Sequence, residues 1–455
     1  MEVVLEGKEL KKVRIAILVV LLLTILTQLI DNAFNLITPI LVEKFSISTD
    51  VASWVASLGG IGIAIGFFAF SSFTDFFSEK RLLILGLILF CIPSVIGLLF
   101  QSSYYVVVIA RFIQAVGGIS TSALYLVLIA RYLPASEQVI WMGLSTASFT
   151  LSTVIGTLTG GFMSTFLGWQ CIFYIPFIAL LAFPVILKCL PDNPKQKSNV
   201  DYIGFLILAI FSINVNFLIS NPSIILLVTT IVLIVIFSLY IKKAKHPIVS
   251  STFFGNKDYV ITLCATFFYY LSQVALVFIT PFLLQALFNY SLEKVSLIYI
   301  VPYTVSGIIA IFSGSVINKI GMKPTLTLGA ILIIVGFVLG GCLSYIGVNY
   351  VIVVLTIITG GYALSFAPLL TRAITTLHEE EVGTGIGIFN FIVRVANALG
   401  ISITAFLLNS TFIQTTIISL DKKEMTPYTN IFLFLALMTL IGIVIYLISY
   451  KKEEK

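Results

Sequence analysis

The sequence predicts an all-α polytopic membrane protein, with two six-helix halves, an inserted helix pair between them and fourteen transmembrane helices in all. Three observations predict it. The 455 residues are 59% hydrophobic and only 10% charged, with a mean hydropathy of +1.11, whereas soluble domains are about 45–50% apolar and about 25% charged. The apolar residues run in unbroken stretches of roughly 20, the helical length that crosses a hydrocarbon core of about 30 Å. A membrane barrel would instead alternate every second residue. Finally, several motifs recur at offsets of 242 to 244 residues. The composition excludes a cytosolic enzyme, a disordered chain and an ordinary secreted domain. The five cysteines (Cys91, Cys171, Cys189, Cys264, Cys342) are odd in number, with no CxxC and no metal-ligand spacing. They read as packing residues, and no metal site is expected.

The spans fall, in order, at 14–42, 51–73, 82–100, 104–131, 138–166, 170–190, 202–220 and 223–241, then at 259–286, 295–317, 324–345, 349–374, 383–409 and 428–450. The first run exceeds a signal-peptide core of about 7–15 residues and lacks a small-residue cleavage site, so it is read as a retained span. Asn221-Pro222 separates the seventh and eighth. Basic residues set the orientation. With the N terminus inside, twenty of the 26 lysines and arginines fall in cytoplasmic segments, and only Lys44, Lys294, Lys422 and Lys423 fall outside. Both termini are therefore placed in the cytoplasm, and the protein in the plasma membrane. Arg111 and Arg394 are left inside spans.

The repeat divides the chain. Ser71-x3-Asp75-x2-Ser78-x-Lys80 after the second span matches Gly314-x3-Asn318-x2-Gly321-x-Lys323 after the tenth. Phe45-x2-Ser48-x-Asp50 maps onto Phe288-x2-Ser291-x-Glu293, Gly117-Gly118 onto Gly360-Gly361, and Ile37-Thr38-Pro39 onto Ile279-Thr280-Pro281. Gly143 and Gly156 map onto Gly387 and Gly400. The expected units are residues 1–200, an inserted pair at 201–245, and 246–455. Parallel six-helix halves are a transporter architecture, with the substrate site at midplane between them.

Among the acidic residues only Asp31 lies well inside a span, and Asn35 shares its helix face. A carboxylate in a low-dielectric interior can take up and release a proton near neutral pH, or neutralise a cationic substrate. Arg111, heading Arg111-Phe112-Ile113-Gln114, either governs a nearby acid such as Asp31 or clamps two helices. Arg394, with Asn397 one turn away, is a candidate anchor for an anionic substrate group, a partner for Asp31, or a packing residue. Gln114 and Gln273 are further polar candidates for the substrate site. Asp75, Lys80 and Arg81, with Asn318 and Lys323 in the second copy, sit at the cytoplasmic boundary and are candidates for an inner gate. Span 5 carries Gly143, Gly156, Thr157, Gly160 and Gly161, small residues that let helices approach closely. His246 and His378 lie in loops with no partner at ligand spacing, and Glu379-Glu380-Glu381 reads as a solvated loop.

These motifs together resemble the major facilitator superfamily, in particular its fourteen-span drug/proton antiporters. Ser71 through Arg81 looks like the superfamily's motif A, with serines in place of both glycines. Arg111 through Gly118 looks like motif B. Gly143 through Gly161 is similar to the antiporter motif C that marks exporters, with Thr157 where the family has proline. The first span, with Asp31, Asn35 and Pro39, resembles the acidic first-span motif of the fourteen-span group. Within that group the chain looks most like Gram-positive tetracycline-efflux pumps, although Asn397 stands where those pumps carry an acid.

The resemblance implies export of tetracycline or other amphipathic drugs in exchange for protons, with Asp31 and Arg111 in proton coupling. It implies no cofactor, the proton gradient being the energy source; the sequence has no Walker-type loop for a nucleotide. The expected partners are small amphipathic substrates, protons and the lipid bilayer, with no nucleic acid, and the expected state is a monomer. The alternative is export of an endogenous anionic amphiphile (a fatty acid, siderophore or lipid) held by Arg394. An enzyme would need converging His, Asp, Ser or Cys groups at the membrane, and the sequence shows none.

Overall fold

A computed structural model describes residues 7–74, 77–191, 201–244, 255–377, 382–410, 413 and 423–451. With no water in a bilayer to satisfy the backbone, long apolar runs must close their hydrogen bonds within themselves, and they do so as helices. In chain order these are α1 Gly7–Leu36, α2 Thr49–Phe73, α3 Glu79–Leu99, α4 Tyr104–Tyr132, α5 Ala135–Phe166, α6 Trp169–Cys189, α7 Tyr202–Ser220 and α8 Ile224–Lys243. There follow α9 Lys257–Phe288, α10 Leu292–Ile320, α11 Met322–Leu343, α12 Val348–Thr375, α13 Val382–Asn409 and α14 Thr426–Lys451. Among the described residues, thirteen helices are long and apolar enough to cross a membrane. The remaining one, α5, is 32 residues long and packs along α1. It completes the expected fourteen. No strand occurs among the described residues.

The first span ends earlier than expected. α1 stops at Leu36 rather than continuing to residue 42, and a short helix, Thr38–Phe45, follows with Pro39 in its first turn. There a missing N–H breaks no intrahelical bond. That short helix ends on Ser46 in the left-handed region, and α9 ends the same way on Asn289, both with φ of 51°. They are the two positive-φ residues other than glycine among the described residues, and they lie one repeat apart. Gly86 and Gly329 occupy a second equivalent pair. The carbonyl of Gly86 abuts Gly117 at the α3–α4 crossing, and that of Gly329 abuts Gly361 at the α11–α12 crossing. The repeat is thus written in backbone geometry as well as in sequence.

An even number of crossings brings the described ends of α1 and α14 to one side, here called the terminus face. Two apolar cores form, one mostly from α1–α6 and one mostly from α9–α14. The first core also takes in Phe278, Leu292, Ile401 and Ala405, all from the far-face ends of α9, α10 and α13. The second core takes in Leu36 and Phe68 in turn, so the halves interlock on the side away from the termini and, at Phe68, nearer to them as well.

Two helix pairs form the seams between the halves. Along α2–α13, Asp50 accepts a hydrogen bond from Asn409, Gly60 abuts Ala398, and the rings of Phe68 and Phe391 lie 5.9 Å apart. Along α5–α10, Gly161 abuts Leu292 and Ser296, and Gly307 abuts Thr150. Farther toward the terminus face, a Cβ placed on Gly314 would meet nothing within 4 Å.

Candidate functional site

The last two turns of α1 carry Asp31 and Phe34 on one face, three residues apart. The first half of α4 carries Arg111 and Gln114 at the same spacing. Where the two helices face each other, Arg111 Nη2 donates to Asp31 Oδ1 at 2.5 Å. The guanidinium also lies over the Phe34 ring, 4.9 Å from its centroid. Its Nη1 donates to Gln114 Oε1 at 3.1 Å, and Gln114 Nε2 donates in turn to Ser94 Oγ of α3 at 2.9 Å. On α2, Gly59 leaves the room the guanidinium occupies: a Cβ there would sit 3.3 Å from Arg111 Nε. Four helices thus hold one cation. Arg111 is only 2% exposed, whereas Asp31 keeps 20% of its side chain open. The carboxylate is fixed on one side and reachable on the other.

Arg394 of α13 faces this pair from the other half. Its guanidinium stands 5.7 Å from the centroid of the Phe149 ring on α5, within electrostatic reach of Asp31. Among the described residues it has no carboxylate partner within ion-pair distance. With Asp31, Arg111 and Arg394 all ionised, the cluster carries one net positive charge. One turn along α13, the Asn397 amide donates to Gln273 Oε1 at 3.4 Å. Among the described residues, the carboxamide oxygens of Asn397 and Asn35 are buried without a partner. A buried acceptor left unpaired costs about 1–3 kcal/mol, and a bound donor or a water would recover it.

Small residues set these helices at the required distance. Gly156 of α5 abuts the Leu29 carbonyl and Asn32 Cβ, and Gly160 abuts Ala33, so two glycines of the α5 motif bracket the Asp31 turn of α1. Gly161 serves the α5–α10 seam instead. Thr157 leaves α5 unbroken, bonding its own Thr153 and Val154 carbonyls. Gly143 lies in the first part of the same helix.

Of the candidate gate residues, Asp75 lies outside the described residues. Lys80 Nζ donates to the Leu187 carbonyl at 2.6 Å, near the C-terminal end of α6, where a cation complements the helix dipole. Arg81 and Asn318 are exposed, and Lys323 opens α11. Sequence reasoning passed over the acids that tie this face together. Glu79, 1% exposed, forms an ion pair with Arg131 and accepts from the Tyr132 hydroxyl at 3.2 Å. Arg14 of α1 meets Glu137 of α5 at 2.5 Å. The available signal was an acid in the first turn of α3 and of α5. A hydroxyl network in α9–α14 was missed as well. Ser272 bonds the Tyr362 hydroxyl at 2.6 Å and Thr439 Oγ1 at 2.8 Å, and Tyr269 bonds Ser365. Nothing distinguishes these residues in a sequence so rich in tyrosine and serine.

A family model described as Major Facilitator Superfamily matches residues 20–401, and again 261–455. The chain belongs to the Major Facilitator Superfamily. It is 24% identical over 393 residues to Multidrug resistance protein Stp of Mycobacterium tuberculosis, covering 82% of this chain and 72% of that one. It is 22% identical over 455 residues to riboflavin transporter RibZ of Clostridioides difficile, covering 96% and 98%. Among solved structures, a bacterial homologue of the human lysosomal transporter Spinster superposes with a TM-score of 0.68 over 98% of each chain, at 13% identity. Membership of the superfamily makes the chain a membrane transporter, and its relatives include proteins named for multidrug resistance.

Proposed function

We propose that this transporter exports tetracycline and other amphipathic drugs in exchange for protons, with Asp31 as the group that proton and substrate share. The observation that carries the reading is the Asp31–Arg111 pair, fixed on the Arg111 side and open on the other. Protonation of Asp31 removes its charge and leaves Arg111 to its bonds with Gln114 and Phe34. Loss of the proton restores an ion pair that a cationic substrate group can compete for. In everted vesicles, adding substrate should then dissipate a pH gradient, and Asp31→Asn should abolish that signal. An unaltered signal in the variant would sink the assignment.

A second reading rests on Arg394. A guanidinium on an aromatic face, with no carboxylate partner among the described residues, suits the acid group of an endogenous amphiphile such as a fatty acid, siderophore or lipid. The relative named for riboflavin transport supports a metabolite as cargo. In that case Arg394→Ala weakens transport of acidic compounds selectively. An equal loss for neutral and cationic compounds would mark the residue as structural.

A further inference from the structure

The outer side of α6 carries a groove that the transport site does not use. The helix changes its winding part-way along: from Trp169 to Ala182 it is a 3-10 helix, and from Phe183 to Cys189 an α-helix, with Pro184 in the first turn of the second part. Its inward side, with Ile172, Phe173, Ala179 and Ile186, is packed into the first core. Around the change of winding Leu180, Phe183, Pro184, Leu187 and Lys188 line an open groove of about 500 Å³. Leu180 and Leu187 are both exposed, so the groove looks outward, where a transporter meets lipid.

The end of the groove nearer the terminus face is cationic. Lys188 is exposed there, in the last turn of α6. Lys80, from the first turn of α3, brings its ammonium to the Leu187 carbonyl at 2.6 Å. An ammonium has three donors, so two remain for another acceptor. Glu79, the neighbouring acid in the chain, is turned inward to Arg131 and Tyr132. Among the described residues neither lysine has a carboxylate within ion-pair distance. Two ammonium groups from two helices thus stand at one end of an apolar trough.

We infer that this groove is the site of one anionic phospholipid, with its phosphate between Lys80 and Lys188 and an acyl chain laid along Leu180, Phe183 and Pro184. An inorganic phosphate would use the two lysines and leave the groove unfilled. A zwitterionic lipid would fill the groove but bring its own cation beside the phosphate. An anionic phospholipid satisfies both ends, as basic pockets at a membrane boundary do with anionic head groups. The Lys80–Leu187 bond already joins α3 to α6, so a phosphate shared by the two lysines fastens the same pair of helices.

The test uses the full chain in detergent, titrated with phosphatidylglycerol or phosphatidylcholine, with the constant for the first bound lipid read by native mass spectrometry. Phosphatidylglycerol should bind the more tightly. Lys80→Gln and Lys188→Gln should each weaken it about fivefold, the worth of one lysine near an anionic surface, and leave phosphatidylcholine unchanged. Lys242→Gln with Lys243→Gln, at the end of α8 on the same face, should change neither lipid. Inorganic phosphate in excess should not displace phosphatidylglycerol. Equal affinity for the two lipids, no loss in the Lys80 and Lys188 variants, or an equal loss in the Lys242/Lys243 variant overturns the inference. Displacement by inorganic phosphate overturns it too, by showing that the lysines bind an anion without the groove.

Discussion

The two halves share a scaffold and differ in chemistry. Ser46 and Asn289 terminate equivalent helices with the same φ, and Gly86 and Gly329 open equivalent crossings. Yet the first half holds Asp31 and Arg111 in its centre, and one repeat on from Arg111 stands the buried Val354. The second half fills its interior with hydroxyls: Tyr269, Tyr362, Ser272, Ser365 and Thr439. Duplication preserved what sets helix spacing. It did not preserve the charge, which is concentrated in one half and faced from the other by Arg394. The proton-sharing role proposed for Asp31 calls for one switchable group on a firm mount, and neutral polar contacts suffice elsewhere.

The largest expected effect comes from breaking the charged pair. Arg111→Leu leaves Asp31 without its cation and should lower stability by about 3–5 kcal/mol, read as a fall in the thermal unfolding midpoint. Adding Asp31→Leu should restore most of that midpoint while transport stays lost. A double variant as unstable as the single one would show that Arg111 acts through Gln114 and Phe34 rather than through Asp31.

The shared scaffold gives the next effect. A Cβ on Gly156 would sit 2.5 Å from the Leu29 carbonyl, and one on Gly400 would overlap the carbonyl of Leu271. Gly156→Ala and Gly400→Ala should each cost about 1–3 kcal/mol by the same thermal measurement. Only Gly156→Ala, which displaces the Asp31 turn, should also change the substrate-induced pH signal in vesicles. The smallest effect belongs to the hydroxyl network. Tyr362→Phe removes one bond to Ser272 while Thr439 keeps the other, so a loss of about 0.5–1.5 kcal/mol is expected, with the pH signal intact. Loss of that signal would extend the coupling machinery into the second half.

Much of this was legible from sequence because a bilayer restricts the choices. Apolar runs had to be helices, and an acid in mid-span had to have a partner, so Asp31, Arg111 and the fourteen helices could be named in advance. Helix boundaries were less legible, as Pro39 shows by starting a separate short helix. Partner identity depends on which faces meet, which residue type alone does not encode. Gln114 reads as a lining residue in the sequence, but in the fold it links Arg111 to Ser94. Glu79 looks like one more loop charge until Arg131 and Tyr132 close over it. The position of α7 was the least visible, because its anchors are Phe205, Phe217 and Asn216, residue types found throughout the chain.

The division of α7 between two neighbours bears on biogenesis. The chain emerges from the ribosome in order, so α2 is made first, α7 later and α13 near the end. Pairing α2 with α13 is one of the most sequence-distant contacts in the molecule, the kind that forms slowly. With Phe217 and Phe205 of α7 already seated on Trp54 and Phe68, α13 arrives to find one wall of its slot built and Asn216 waiting for Ser402. On that order of synthesis the inserted helix is a template for the late one.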